Sequence, residues 1–429
     1  MLKLDSKLNI RLLNIIIRGI SMVSRFLLII VLAKLLSPSD LGLFGLLVAG
    51  ISFAVLIVGF DYYAYSNREI LATKSEDYSI IIFNQIYAYV PLYLLFIPIA
   101  IFLSYYDFLP HGYFLWFFIL MIVEHISLEQ NRLLNTMQKQ LSASIVLFLR
   151  SGIWVLFMLP IIVYVEKFRN LETVLYAWLI GGVASITFGT FIIKKSVENW
   201  SFIKPSYQWI IKGYKTGLFF ILGTVAFRAI STVDRFWLEK ISDSDIVGVY
   251  VFYTSLTVGV TAFIHAGVIV FSVPKLVRTF QEGELLKFKH LMNRFLKELL
   301  ASILIMVSLM YLFMPIVIDW IGKPTYFDSY NVFYIILATA VLIVISSHPN
   351  TYLYAARRDK YTLFSNISAF IVFILMSIMF YFNYHEYSDI YKVAISVLVS
   401  FVWFVAIKYF GYFYYSKFTC SVSLKKDER

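Results

Sequence analysis

Apolar runs of about twenty residues recur along the chain with short polar segments between them. They lie at approximately 9–35, 40–62, 80–105, 113–134, 142–165, 172–194, 216–238, 246–272, 298–320, 330–354, 361–383 and 389–414. Twenty residues of α-helix rise about 30 Å, the depth of a bilayer hydrocarbon core. The pattern therefore predicts an all-α integral membrane protein with about twelve transmembrane helices, and no connecting segment is long enough for a separate soluble domain. The fourth and tenth runs carry the most polar interruptions, and His348-Pro349-Asn350 predicts a break or kink in the tenth.

The first run is not uniformly apolar. Arg11, Asn14, Arg18, Ser21 and Arg25 follow one another at steps of three and four. Seven residues of helix turn through about 700°, so such positions share one face. A guanidinium at membrane depth costs several kcal/mol unless it faces a protein interior or water. Three arginines on one face make an environment suited to an anion, and a forked guanidinium suits phosphate.

Composition agrees with the membrane class, being 60% hydrophobic and 15% charged. Placing the N-terminus in the cytoplasm puts about 25 of the 37 Lys and Arg on that side, as the positive-inside rule requires. Both termini are then cytoplasmic. Among those basic residues are Lys275, Arg278, Lys287, Lys289, Arg294 and Lys297, expected in the loop between helices eight and nine. The net charge of +11 is explained by loops resting near anionic headgroups and calls for no nucleic acid. Arg18 and Arg25 interrupt the first run, which excludes a cleavable signal peptide. The single cysteine, Cys420, excludes an internal disulfide and a cysteine metal cluster.

The two halves echo one another. LAKLLSPSDLGLFGLL (32–47) ends helix one and opens helix two, and LEKISDSDIVGVYVFY (238–253) does the same for helices seven and eight. Ser39-Asp40 with Gly42 and Phe44 corresponds to Ser244-Asp245 with Gly248 and Tyr250. Two parallel six-helix halves follow, 1–200 and 201–429, an arrangement of alternating-access transporters. Thr224, Arg228, Ser231 and Arg235 make a second polar stripe on helix seven, with Arg235 near its outer end.

Acidic residues within or beside the spans are candidates for ion coupling or for ion pairing with an arginine. Glu124 sits mid-span in helix four beside His125. Asp234 adjoins Arg235, and Asp61 ends helix two. Arg18, Arg25 and Arg228 are the arginines expected to pair with Glu124 or Asp234 if those contacts are structural. His265 and His348 have no metal-ligand partners at useful spacing, so no metal or cofactor is expected. External segments are short and hold no paired carboxylates, and there is no GxSxG or phosphate-cradling glycine loop, which argues against a membrane enzyme.

Helix count, the LLSPSDLGLF turn and TVDRFWLEKISDSDIVGVY after helix seven together resemble the Wzx-type O-antigen or polysaccharide repeat-unit flippases. These belong to the multidrug/oligosaccharidyl-lipid/polysaccharide transporter superfamily. The resemblance implies a V-shaped, two-lobe bundle in the bacterial inner membrane. Such a bundle moves undecaprenyl-diphosphate-linked oligosaccharide from the cytoplasmic to the external leaflet, with the lipid tail left in the membrane. On that reading Arg18, Arg25, Arg150 and Arg228 are the cavity cations that offset the diphosphate. The resemblance also implies a polysaccharide polymerase and a chain-length regulator as partners. A lipid II flippase and a multidrug exporter of the same superfamily are the alternatives within transporters, and proton or sodium coupling stays open.

Overall fold

The computed structural model describes residues 6–73, 75–106, 112–198, 200, 204–383 and 386–427, and their side chains other than those of 6–12, 219 and 417–427. Arg11 and Cys420 thus lie outside the described side chains. In chain order the α-helices are α1 (Ser6–Leu35), α2 (Pro38–Gly59), α3 (Tyr63–Ala72), α4 (Tyr78–Tyr105), α5 (Phe114–Thr136), α6 (Gln140–Phe148), α7 (Trp154–Tyr164), α8 (Leu171–Ser196) and α9 (Tyr207–Ile241). They continue as α10 (Ser244–Ile264), α11 (Val270–Gln281), α12 (Leu285–Ile321), α13 (Pro324–Asp328), α14 (Tyr330–Ile345), α15 (Ser347–Ala355), α16 (Asp359–Asn383) and α17 (Asp389–Asp427). Single π turns, Leu149–Ile153 and His265–Ile269, join α6 to α7 and α10 to α11.

Among the described residues, ten helical segments are long and apolar enough to cross a membrane, or eleven when the bent pair Tyr207–Leu218 and Phe220–Ile241 counts as one. The remaining helix of spanning length is α5, the fourth of the expected twelve. It is less apolar because Glu124, His125, Glu129, Gln130 and Arg132 fall on it. The chain is a multi-pass membrane protein, and it divides into two compact units, Met1–Val225 and Ala226–Arg429.

In the first unit a two-residue turn separates α1 from α2. Ser37 caps α2 by accepting from the Asp40 N–H at 3.0 Å, and Pro38 occupies the first helical position, where no N–H is missed. Apolar on every side, α2 buries Leu41, Leu47, Ile51 and Val58. α5 packs against α2, α6 and α8. That closeness comes from a stripe of small residues on α8. A methyl at Gly182 would collide with Val123 of α5, and one at Gly189 with Gln130. Between them Ser185 donates to the Val146 carbonyl of α6 at 3.0 Å.

In the second unit α14 and α16 flank α17. Ile230, Ala369, Phe373, Phe401 and Phe404 form one of its cores. The expected break in helix ten falls at Ser346, between α14 and α15. Pro349 has no N–H for the Ile345 carbonyl, so the ladder is interrupted one turn ahead of the proline.

The loop expected between helices eight and nine is instead helical. α11 runs to Gln281 and α12 begins at Leu285, with Gly283 (φ +78°) making the tight turn. Lys275 and Arg278 therefore lie on α11, and Lys287, Lys289, Arg294 and Lys297 on α12. Apolar length marks only the portion of a helix at membrane depth. Here the helices extend beyond it as amphipathic turns that bury Leu276, Phe288, Met292 and Phe295.

Candidate functional site

The polar face of α1 separates by depth. Asn14 and Ser21 are buried, whereas Arg18 and Arg25 are exposed. Ser21 donates to the Ile17 carbonyl at 2.9 Å and lies against the π turn, where a methyl on Gly152 would sit 3.2 Å from its Cα. It is a packing residue in this arrangement. Arg18 is oriented from two neighbouring helices, its Nε donating to Ser144 Oγ at 3.0 Å and one Nη to Asn135 Oδ1 at 3.5 Å.

Arg150 reaches the same region from the π turn. The wide turn is held on both sides: Gly181 of α8 sits close under the Leu149 carbonyl and Trp154, and Trp154 Nε1 donates to the Arg150 carbonyl at 2.9 Å. The Arg150 Nε lies 3.6 Å from Glu124 Oε2, with the two side chains 11% and 16% exposed. The other carboxylate oxygen, Oε1, accepts from Trp178 Nε1 at 2.7 Å. Trp178 in turn packs edge-on to Phe44 at 6.1 Å, the aromatic residue of the repeated turn. Arg25 feels both charges, repelled by Arg150 and attracted by Glu124. Glu124 therefore takes Arg150 as its ion-pair partner, not the Arg18, Arg25 or Arg228 expected from sequence. Helical period finds partners on one helix, and this pair joins two.

A second polar cluster was not legible in the sequence. Glu129 Oε2 accepts from Gln85 Nε2 at 2.8 Å and Tyr89 Oη at 2.7 Å, while Oε1 pairs with Arg132 at 2.6 Å. The Arg132 guanidinium covers the Tyr63 ring at 3.7 Å. Asp61 lies beside this cluster in a left-handed conformation (φ 47°) and is buried. Burial pushes its carboxyl above the usual carboxylate range, with the Thr224 hydroxyl and Arg132 opposing the shift.

In the second unit Arg228 is exposed and Ser231 donates to its carbonyl at 3.2 Å. Asp234 is buried, accepting from Tyr250 Oη at 2.9 Å and from the Arg235 backbone N–H at 2.8 Å. The Arg235 guanidinium reaches Thr254 Oγ1 at 3.5 Å. Asp234 thus holds the Arg235 backbone and Tyr250, the repeat's second aromatic residue, while the Arg235 guanidinium reaches Thr254. Lys408, buried in α17, donates to Asn350 Oδ1 at 2.9 Å and lies 4.0 Å over the Phe404 ring. His348 packs among the rings of Phe295, Tyr409 and Tyr412. Among the described residues no group of three His, Cys, Asp or Glu side chains is placed to hold a metal.

The fold is similar to that of known transporters. An inward-facing multidrug resistance MATE family transporter of the MOP superfamily superposes with TM-score 0.68 at 14% identity, over 96% of this chain and 99% of that one. The lipid II flippase MurJ in an inward closed conformation gives TM-score 0.68 at 16% identity, over 93% and 87%. A MOP superfamily transporter from Pyrococcus furiosus Vc1, described as having a binding pocket of reverse polarity, gives 0.52 at 15% identity, over 96% and 94%. No curated protein matches the chain. The profile of the polysaccharide biosynthesis proteins matches residues 10–280, more than half of the sequence, and the chain belongs to that family.

Proposed function

We propose that this protein is a flippase for undecaprenyl-diphosphate-linked oligosaccharide. It carries the repeat unit from the cytoplasmic to the external leaflet of the bacterial inner membrane by alternating access. The observation that carries this reading is the excess of accessible cations at membrane depth: Arg18 and Arg25 exposed on α1, and Arg150 near Arg25, with one carboxylate, Glu124, close to those two. A diphosphate carries at least two negative charges and cannot enter bare hydrocarbon, so a path for it needs fixed cations. Guanidinium groups supply them without a covalent step, as befits a carrier and not an enzyme. Arg228, exposed on α9, is the candidate from the second unit. Membership in the polysaccharide biosynthesis family and likeness in fold to a lipid II flippase support a lipid-linked cargo.

The test is the sidedness of the lipid-linked repeat unit in cells with and without the protein, with Arg18→Ala and Arg25→Ala compared at matched expression. Cytoplasmic-face accumulation in the null strain that neither variant clears is the expected result. Normal appearance of the unit in the outer leaflet without the protein would refute the assignment.

A further inference from the structure

We propose that Glu124 is a resident counter-anion that holds the place of the substrate phosphate at Arg150, and that Trp178 keeps its grip deliberately weak. The inference rests on the diphosphate reading above and adds a specificity residue and a positioning residue to it.

Three observations converge. The first is the geometry of the pair. At 3.6 Å the contact between Arg150 Nε and Glu124 Oε2 is ionic but too long for a hydrogen bond. The buried Arg150 Nε–H accordingly has no hydrogen-bond partner among the described residues. An orphaned guanidinium N–H beside a carboxylate is unusual, because closing by roughly 0.7 Å would satisfy both groups.

The second is what prevents that closure. Glu124 Oε1 is held at 2.7 Å by Trp178 Nε1, and Trp178 is wedged against Phe44. On the other side the backbone of Arg150 is fixed by Trp154 and by the close approach of Gly181. Glu124 is not able to slide toward Arg150 without straining its bond to Trp178, and the Arg150 backbone is not free to follow.

The third is charge. Arg25 and Arg150 repel each other, and both are attracted to the single carboxylate of Glu124. Glu124 relieves that repulsion in part, and an arriving diphosphate would relieve it fully. The incoming phosphate repels Glu124 and offers oxygens to the free Nε–H and the accessible forks. Exchange of one anion for another keeps affinity moderate, so that the cargo also leaves.

Two substitutions then move binding in opposite directions. Glu124→Gln removes the competing charge and keeps the acceptor for Trp178. It is expected to bind inorganic pyrophosphate roughly ten-fold more tightly, about 1.4 kcal/mol, while translocation of the lipid-linked unit slows. Trp178→Phe keeps the ring against Phe44 but frees Glu124 to close on Arg150, and binding is expected to weaken several-fold. A merely structural ion pair would lower stability in both variants without this opposition.

The measurement is calorimetric titration of inorganic pyrophosphate into the full-length protein in nanodiscs, with thermal melting as the folding control. Arg25→Ala and Arg150→Ala serve as the reference for the site itself. If both arginine variants bind as the wild type does, the cationic site reading fails. If they lose binding while Glu124→Gln binds no more tightly, the site stands and the counter-anion inference is overturned. If Glu124→Gln does not fold, Trp178→Phe decides: binding equal to or tighter than wild type overturns the inference.

Discussion

Gly181→Ala tests whether the closeness of α8 holds Arg150 in place. The added methyl would sit 2.8 Å from the Leu149 carbonyl oxygen and would collide with the Trp154 ring. Both obstacles are stiff, one being backbone and the other a buried indole, so α8 or the π turn must shift. Overpacking of that kind costs about 1–3 kcal/mol. Displacing Trp154 also endangers its 2.9 Å bond to the Arg150 carbonyl, a further ~1 kcal/mol. The sum, about 2–4 kcal/mol, corresponds to a melting temperature lowered by roughly 4–16 °C for a unit of this size. Because the π turn carries Arg150, clearance of the lipid-linked unit should fall as well. Gly19→Ala is the matched control, since nothing lies within 4 Å of its added methyl. There the better helix propensity of alanine should give a neutral to slightly stabilised protein, by up to ~1 kcal/mol. The assay is thermal melting of both variants in detergent beside the sidedness measurement. A Gly181→Ala protein that melts and transports like the wild type would refute the claim that α8 positions the π turn.

Two further outcomes follow from buried charges. Asp61 has a carboxyl raised by burial, so the folded protein binds more protons there than the unfolded chain, and its contribution to stability falls as pH rises through the folded-state value. Asp61→Asn keeps a short side chain tolerant of φ 47° and removes the charge, so it should stabilise at neutral pH and lose that advantage below about pH 4; melting curves that differ equally at both pH values would contradict this. Lys408 is buried with a neutral acceptor, and Asn350 Oδ1 keeps the Thr362 hydroxyl at 3.3 Å if the amine is lost. Lys408→Met should therefore raise stability by about 1–2 kcal/mol in thermal melting, and a clear loss would show that the charge has a counterpart of its own.

Much of the architecture was legible because it depends on local signals. The Ser37-Pro38-Ser39-Asp40 turn appeared where capping chemistry put it. Pro349 marked the break at Ser346 to within a turn. What escaped was of two kinds. The continuation of α11 and α12 beyond the apolar runs was missed because hydropathy reports lipid contact, whereas helix formation in KFKHLMNRFLKELL is driven by an amphipathic stripe. The partners of Glu124 were missed because Arg150 and Trp178 lie on other helices. The packing of α5 against α8 at Gly182 and Gly189 brings Trp178 to Glu124, and the close approach of Gly181 to the π turn brings Arg150. Trp178 had a faint signal as an indole within a glycine-containing span, but nothing in the sequence tied it to a carboxylate.

The π turn at Leu149–Ile153 has a consequence for how this span is able to change over evolutionary time. It holds one residue more than an α-turn, so α6 and α7 form two half-helices separated by a phase slip of about 100°. Deleting a single residue there would not shorten the span appreciably; it would rotate one half against the other. A mutation usually regarded as a disruption thus becomes a steering change, one that re-aims Arg150 while the ends of the helix stay at the same depth. Length variation of one residue at this point among related chains would mark differences in what their sites grip, not in how far their helices reach.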